Sequence, residues 1–202
     1  MKFFITGGAG YIGAHLGTAL QNAGHQVKIF DDFSNGLERR CSGRFSDVVK
    51  GNILDYEFLK KQMGGQDAIV HLAAKKSVEE SIEKSDEYYE TNVIGSKNVI
   101  NSMIANGINK IIFSSTAAVY QANDNELIQE NFNLKPNSPY GLNKLEIEKF
   151  KNFAQSGINR ISLGIQSFDD VIVCIAIVNH QCDVVFFCNA NVLFERMLLK
   201  CN

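Results

Sequence analysis

Three groups of residues in this chain have the types and spacing to do chemistry. The first is the run Gly7-Gly8-Ala9-Gly10-Tyr11-Ile12-Gly13, followed downstream by Asp31. Gly7, Gly10 and Gly13 recur at every third position, between an apolar stretch and an amphipathic one. In such a turn one glycine permits a tight reversal, one lets a pyrophosphate approach the backbone, and one lets a helix pack on a strand. A helix opening at Tyr11-Ile12-Gly13 offers N–H groups and its dipole to the phosphates. A carboxylate closing the next strand accepts hydrogen bonds from an adenosine ribose and repels a 2′-phosphate, which favours NAD over NADP. The alternative is a Gly-rich turn with a surface aspartate.

The second group is Tyr140 and Lys144, one helical turn apart on a shared face. A nearby ammonium favours the phenolate and lowers a tyrosine's pKa. Tyr140 would then act as a general base toward a sugar hydroxyl. The spacing alone is weak, because Tyr56 and Lys60 have it too; the alternative is a solvated helix pair. Position adds weight: the helix follows a strand ending Phe113-Ser114-Ser115-Thr116, and strand C-termini in open α/β sheets are where ligands sit. Thr116 would bond a substrate oxygen and relay a proton, or simply cap a turn. The third group, His71-Leu72-Ala73-Ala74-Lys75-Lys76, closes another strand. His71 reads as a packed residue. Lys75 and Lys76 read as surface charge, or as donors to an anionic cofactor.

The elements that must carry these groups alternate. Strands are expected at 2–6, Gln26–Asp31, Asp47–Lys50, Ala68–Leu72 and Lys110–Ser115. Helices are expected over Tyr11–Ala23, Asp86–Ala105 and from Ser138-Pro139 to about Gln155, with Ser138 as N-cap. Alternation of this kind predicts an α/β fold, a doubly wound parallel sheet covered on both faces. Further on, Ile161–Ile165 and Val171–Val178 are candidate strands and Val192–Leu199 a candidate helix.

Composition is that of one ordinary domain: 202 residues, 45% hydrophobic and 21% charged. The net charge of −2 gives no electrostatic case for nucleic acid or an anionic membrane. The longest apolar run is too short to span a bilayer, and the N-terminus breaks into glycine too soon for a signal peptide. The expected compartment is the cytoplasm. Five cysteines and four histidines show no metal-ligand spacing, so no metal is expected. The composition changes near residues 150–170. No glycine follows Gly164, and four of the five cysteines follow residue 173.

Six stretches, in this order, carry a resemblance: FFITGGAGYIGAHL (3–16), VKIFDDFSNG (27–36), HLAAKKSVEES (71–81), YYETNVIGSKNVI (88–100), FSSTAAVY (113–120) and SPYGLNK (138–144). Together they resemble the extended short-chain dehydrogenase/reductase family, and within it the UDP-glucose 4-epimerase branch. The resemblance implies a Rossmann-like domain with NAD as cofactor. Gly7, Gly10 and Gly13, with Tyr11 and Ile12, would take the pyrophosphate; Asp31 would take the adenosine ribose; Lys76 and Asn92 would contact NAD. Tyr140 would be the base, Lys144 would bind the nicotinamide ribose and tune Tyr140, and Thr116 would shuttle the proton. The implied reaction interconverts UDP-glucose and UDP-galactose through a 4-keto sugar, with hydride leaving C4 and returning on the other face. Thr116-Ala117-Ala118 lacks the acidic groups with which related dehydratases eliminate water.

The sequence departs from the family pattern at several places. Asn52 stands where the family has Asp near the adenine, Gln121 replaces a glycine, and one residue is missing between Thr116 and Tyr140. The family's C-terminal domain, which grips the UDP-sugar, has no counterpart. The expected organisation is an NAD-binding Rossmann domain over 1–153 and an atypical tail over 154–202. Residues 156–170 (SGINRISLGIQSFDD) resemble a motif of oxygen-independent coproporphyrinogen III oxidases, without their cluster-binding cysteines, and imply no function. The expectation is a fusion or frameshift product; the alternative is a divergent sixth strand and helix. Three functional readings stay open. One is a working epimerase on a UDP-sugar, with a homodimer as candidate assembly. The second is an NAD-binding module without catalysis or completed by a partner chain. The third is a degenerate product. Weak NAD binding and little turnover are expected.

Overall fold

Alternate residues of each strand enter two different apolar layers. In β1 (Lys2–Thr6), Phe3 and Ile5 join one core and Phe4 the other. The same period of two divides Val27 and Ile29 from Phe30 in β2 (Gln26–Asp31). It divides Val70 from Ile69 in β4 (Ala68–His71), and Ile112 from Ile111 and Phe113 in β5 (Ile111–Phe113). Strands buried on both faces carry near-continuous apolar runs, and that is how these segments read. With β3 (Asp47–Lys50) they form a parallel sheet in the order β3-β2-β1-β4-β5. The computed structural model describes residues 1–120 and 132–150.

Helix α1 (Tyr11–Asn22) covers one face, giving Ala14 and Leu20 to its core. The other face is covered by α2 (Tyr56–Met63), α5 (Gly95–Ala105) and α6 (Pro139–Glu148), through Leu59, Met63, Val99, Met103 and Ile147. Two short helices, α3 (Val78–Glu83) and α4 (Ser85–Tyr89), precede α5. Ser138 caps α6 as expected, its hydroxyl accepting the Gly141 N–H at 3.1 Å. The doubly wound parallel sheet is therefore present. Its order reverses at β1 and β4, which places a crevice at their C-terminal ends.

Several boundaries are corrected. Strands β4 and β5 stop at His71 and Phe113, so Leu72 and Ser114–Thr116 lie in the following loops. The helix expected over Asp86–Ala105 is interrupted by a π turn, Glu90–Ile94, which buries Asn92 and Val93 side by side. Helices α2 and α3 were not read. Helix α2 buries only Leu59 and Met63 among charges, and α3 is too short to show a period. The expectations at Gln121, the end of the last helix near Gln155, the boundary at 153, the segments Ile161–Ile165, Val171–Val178 and Val192–Leu199, and four of the cysteines lie outside the described residues. Cys41 is buried and unbridged. Among the described residues no helix is long and apolar enough to cross a membrane, and no cluster of His, Cys, Asp or Glu is placed to hold a metal.

One polar chain crosses the core between β1, β4 and the π turn. The His71 ring is 1% exposed and lies between Thr6 Oγ1, 2.7 Å from Nδ1, and Ser96 Oγ, 2.8 Å from Nε2. Ser96 donates its own proton to the Asn92 carbonyl at 2.5 Å. Nε2 must therefore carry the ring proton, and Nδ1 accepts from Thr6. Burial, with the Lys144 ammonium nearby, pulls His71 down to about 3. An unfolded histidine takes up a proton near 6.5, so between there and about 3 the unfolded chain binds a proton that the fold refuses. Stability should therefore fall on acidification below about pH 6.5, by about 1 kcal/mol per pH unit. His25, lowered by burial and by the N-terminal ammonium, acts in the same direction. Urea unfolding between about pH 6.5 and 5 checks this. His71→Asn should leave only the smaller His25 slope, and an unchanged slope in that variant would refute the assignment.

Candidate active site

The Gly-rich turn follows β1 at the crevice. Gly7 has a φ of +71°, and a side chain there would strike the Ala73 nitrogen at 2.6 Å. A side chain at Gly13 would meet the Gly7 carbonyl oxygen at 2.5 Å and Gly8 Cα at 2.6 Å, so glycine lets α1 start against the turn. Gly10, by contrast, meets only the Gly7 carbonyl, at 3.1 Å, and keeps an approachable backbone. Gly10 is also the N-cap of α1, and no side chain caps the helix. Its first-turn N–H groups, at Ile12 and Gly13 among them, have no acceptor within the helix. Tyr11 is exposed, with its ring 4.4 Å from that of His15.

Asp31 closes β2 beside this turn and is 7% exposed. Its Oδ2 accepts the Ala9 N–H at 2.9 Å and its Oδ1 the Phe33 N–H at 2.8 Å. Burial pushes its carboxyl above the usual range, against the pull of those two N–H groups. Each oxygen keeps a second lone pair for a diol. Asn52 lies next to Asp32, donating from Nδ2 to Asp32 Oδ2 at 3.2 Å and accepting the Leu54 N–H at 2.9 Å.

Across the crevice, α6 and the loop after β5 bring Tyr140, Thr116 and Lys144 together. The Thr116 hydroxyl accepts the Ala118 N–H at 3.2 Å and acts to lower the Tyr140 phenol. The turn-cap reading of Thr116 is thus present in the structure. Tyr140 is fixed from behind, its N–H donating to Ser81 Oγ at 3.3 Å. Lys144 is 4% exposed; its Nζ donates to the Ser114 carbonyl at 2.8 Å and lies 4.8 Å from the Phe113 ring centre. Burial pulls Lys144 down to about 8. The expected lowering of Tyr140 by Lys144 is corrected. Burial pushes the phenol above its ordinary value, and the opposing pull comes from the Thr116 hydroxyl. The decoy pair with the same spacing differs in kind: Lys60 lies 5.7 Å from the Tyr56 ring and 3.9 Å from Glu57 on the outside of α2.

The segment after β4 joins the two sides. Asn92 is 1% exposed; its Oδ1 accepts the Lys75 N–H at 2.8 Å and its Nδ2 donates to the Lys75 carbonyl at 2.9 Å. It clamps the loop in both directions. Lys75 is an ion-pair residue, 2.6 Å from Glu87. Lys76 is exposed and has no ion pair or hydrogen bond to another described residue. His71 is the packed residue the sequence suggested. Missed in the sequence were Ser81, Ser114, Ser115 and Glu148, which fix the Tyr140 helix. The signal for Glu148 was there, one further turn beyond Lys144 on the same face.

A sequence profile described as the NAD dependent epimerase/dehydratase family matches residues 3–163. The chain is 38% identical over 148 residues to a UDP-glucose 4-epimerase of Corynebacterium glutamicum, covering 73% of this chain and 45% of that protein. It is 39% identical over 159 residues to one of Halalkalibacterium halodurans, covering 77% and 46%. The fold is similar to a crystal structure of UDP-glucose 4-epimerase from Brucella ovis in complex with NAD, with a TM-score of 0.76 and 30% identity over 81% of this chain and 51% of that one. The chain spans about half the length of the curated relatives it matches. It belongs to the NAD-dependent epimerase/dehydratase family.

Proposed function

We propose that residues 1–153 form an NAD-binding domain carrying the proton-transfer centre of a UDP-sugar 4-epimerase, acting on UDP-glucose and UDP-galactose. One observation carries the reading: the uncapped α1 turn with Asp31 and the group of Tyr140, Thr116 and the buried Lys144 stand at one edge of the same sheet. The residues fit the cofactor. Gly10 leaves the backbone approachable, the α1 dipole favours pyrophosphate, and the buried Asp31 carboxylate would accept from the adenosine ribose and oppose a 2′-phosphate. Bound NAD⁺ would supply the acceptor and donor of hydride. Tyr140 would take the proton of the sugar hydroxyl, directly or through Thr116. Lys144 would hold the cofactor's ribose and supply positive charge. Asn92 would act by fixing the loop on which Lys76 is presented. Because burial raises the Tyr140 phenol, the donor bond from Thr116 and added positive charge are what favour its base form.

Calorimetric titration of the full chain with NAD⁺ tests the first half. Saturable binding is expected. Asp31→Ala should weaken it about tenfold or more, the effect of losing bonds to a charged group. No binding by a soluble, monodisperse chain would refute the reading. Conversion of UDP-galactose tests the second half. Where turnover is measured, Tyr140→Phe should lower it about 100-fold or more and leave NAD⁺ affinity nearly unchanged. Thr116→Val should shift the acidic limb of the pH profile, where Tyr140 gives up its proton, to higher pH, since the phenol loses the group that lowers it. NAD⁺ binding without any turnover would select the alternative, a binding module without catalysis. The homodimer is open to light scattering.

A further inference from the structure

Three successive residues after β5 are each tied to one face of α6. Thr116 acts on the Tyr140 phenol, the Ser114 carbonyl accepts from Lys144 at 2.8 Å, and the Ser115 hydroxyl donates to the Glu148 carboxylate. Positions 140, 144 and 148 recur at four-residue intervals, so they stack along one side of the helix. The first two pairs belong to the site proposed above. The third has no part in that reading.

Glu148 answers a physical need of Lys144. A buried ammonium loses hydration that its surroundings must replace. Around Lys144 stand the Ser114 carbonyl, the Phe113 ring of β5 and the neutral His71 imidazole of β4. On the neighbouring side, Lys97 of α5 pairs with Glu146 at 2.9 Å. None of the groups facing Lys144 in that set is anionic. Glu148, one turn on, supplies the opposite charge and acts to keep the proton on Lys144. Ser115 is 5% exposed, and its hydroxyl needs an acceptor that Glu148 provides. The same carboxylate thus fixes the loop and balances the lysine.

We propose that Glu148 is a positioning residue: its carboxylate binds Ser115 to α6 and counterbalances the buried charge of Lys144, so that Lys144 and Thr116 face Tyr140 in one fixed arrangement. The proposal rests on the reading of Tyr140 and Lys144 as the reacting cluster, but its test does not require turnover. Lysine Cε resonances of the full chain are titrated by NMR without cofactor, with Lys144 assigned by its loss in Lys144→Arg. In Glu148→Gln, which keeps an oxygen for Ser115 and removes the charge, the Lys144 midpoint should fall by about one pH unit. Glu148→Asp should restore part of that shift. An unchanged midpoint in a folded Glu148→Gln overturns the proposal. A parallel NAD⁺ titration keeps the two readings apart. Absent binding with the Lys144 shift intact removes the cofactor reading and leaves the Glu148 pairing standing.

Discussion

A neutral imidazole buried between two hydroxyls holds the crevice together. His71 accepts from Thr6 and donates to Ser96, which in turn donates to the Asn92 carbonyl. Thr6 Oγ1 also receives the Ala73 N–H at 3.4 Å, and Asn92 clamps Lys75. One chain of polar atoms therefore fixes the end of β1, the loop after β4 and the π turn relative to one another. The Gly7 turn packs against that loop, with no room even for a methyl group. A charged imidazole would donate from both nitrogens and leave the Thr6 proton without its acceptor, and burial with the nearby Lys144 charge keeps His71 neutral.

Around this neutral centre the fold keeps groups whose charge burial opposes. Asp31 is pushed up, Lys144 is pulled down, and Tyr140 is pushed up, each with burial as the largest cause. Folding alone gives no reason to bury a carboxylate, an ammonium and a phenol at one sheet edge. Such concentrations of shifted groups mark sites where chemistry is done. Each is held by a local compensation: backbone N–H groups at Asp31, a carbonyl and ring face at Lys144, a hydroxyl at Tyr140.

Much of this was legible in the residues. The strands read well because burial on both faces makes them apolar throughout, as in Ile69-Val70, and the Gly7–Gly13 run marked the crevice. Tyr140 and Lys144 were readable only through position, since Tyr56 and Lys60 share their spacing and sit on the outside of α2. What stayed hidden depends on distances between segments far apart in the chain. The π turn at Glu90–Ile94 has no local signature, yet it buries Asn92. The direction of the Tyr140 shift was misjudged because burial, a property of the whole fold, outweighs a neighbour one turn away. The pairing of Ser115 with Glu148 depends on how α6 sits on the loop after β5, which no local pattern reports.

The order of elements along the chain divides the crevice in time as well as in space. Every strand among the described residues, both glycine-turn contacts and the His71 network lie before residue 114, whereas α6 comes after a further stretch of chain. Chains fold as they emerge, N-terminal parts first. The dinucleotide half can close its own hydrogen bonds before Tyr140 and Lys144 leave the ribosome. Helix α6 is then a late addition, docked through Ser114 and Ser115 onto a surface already formed, so an α6 that fails to dock would leave a nascent chain with its glycine turn and Asp31 in place and without Tyr140 and Lys144 beside them.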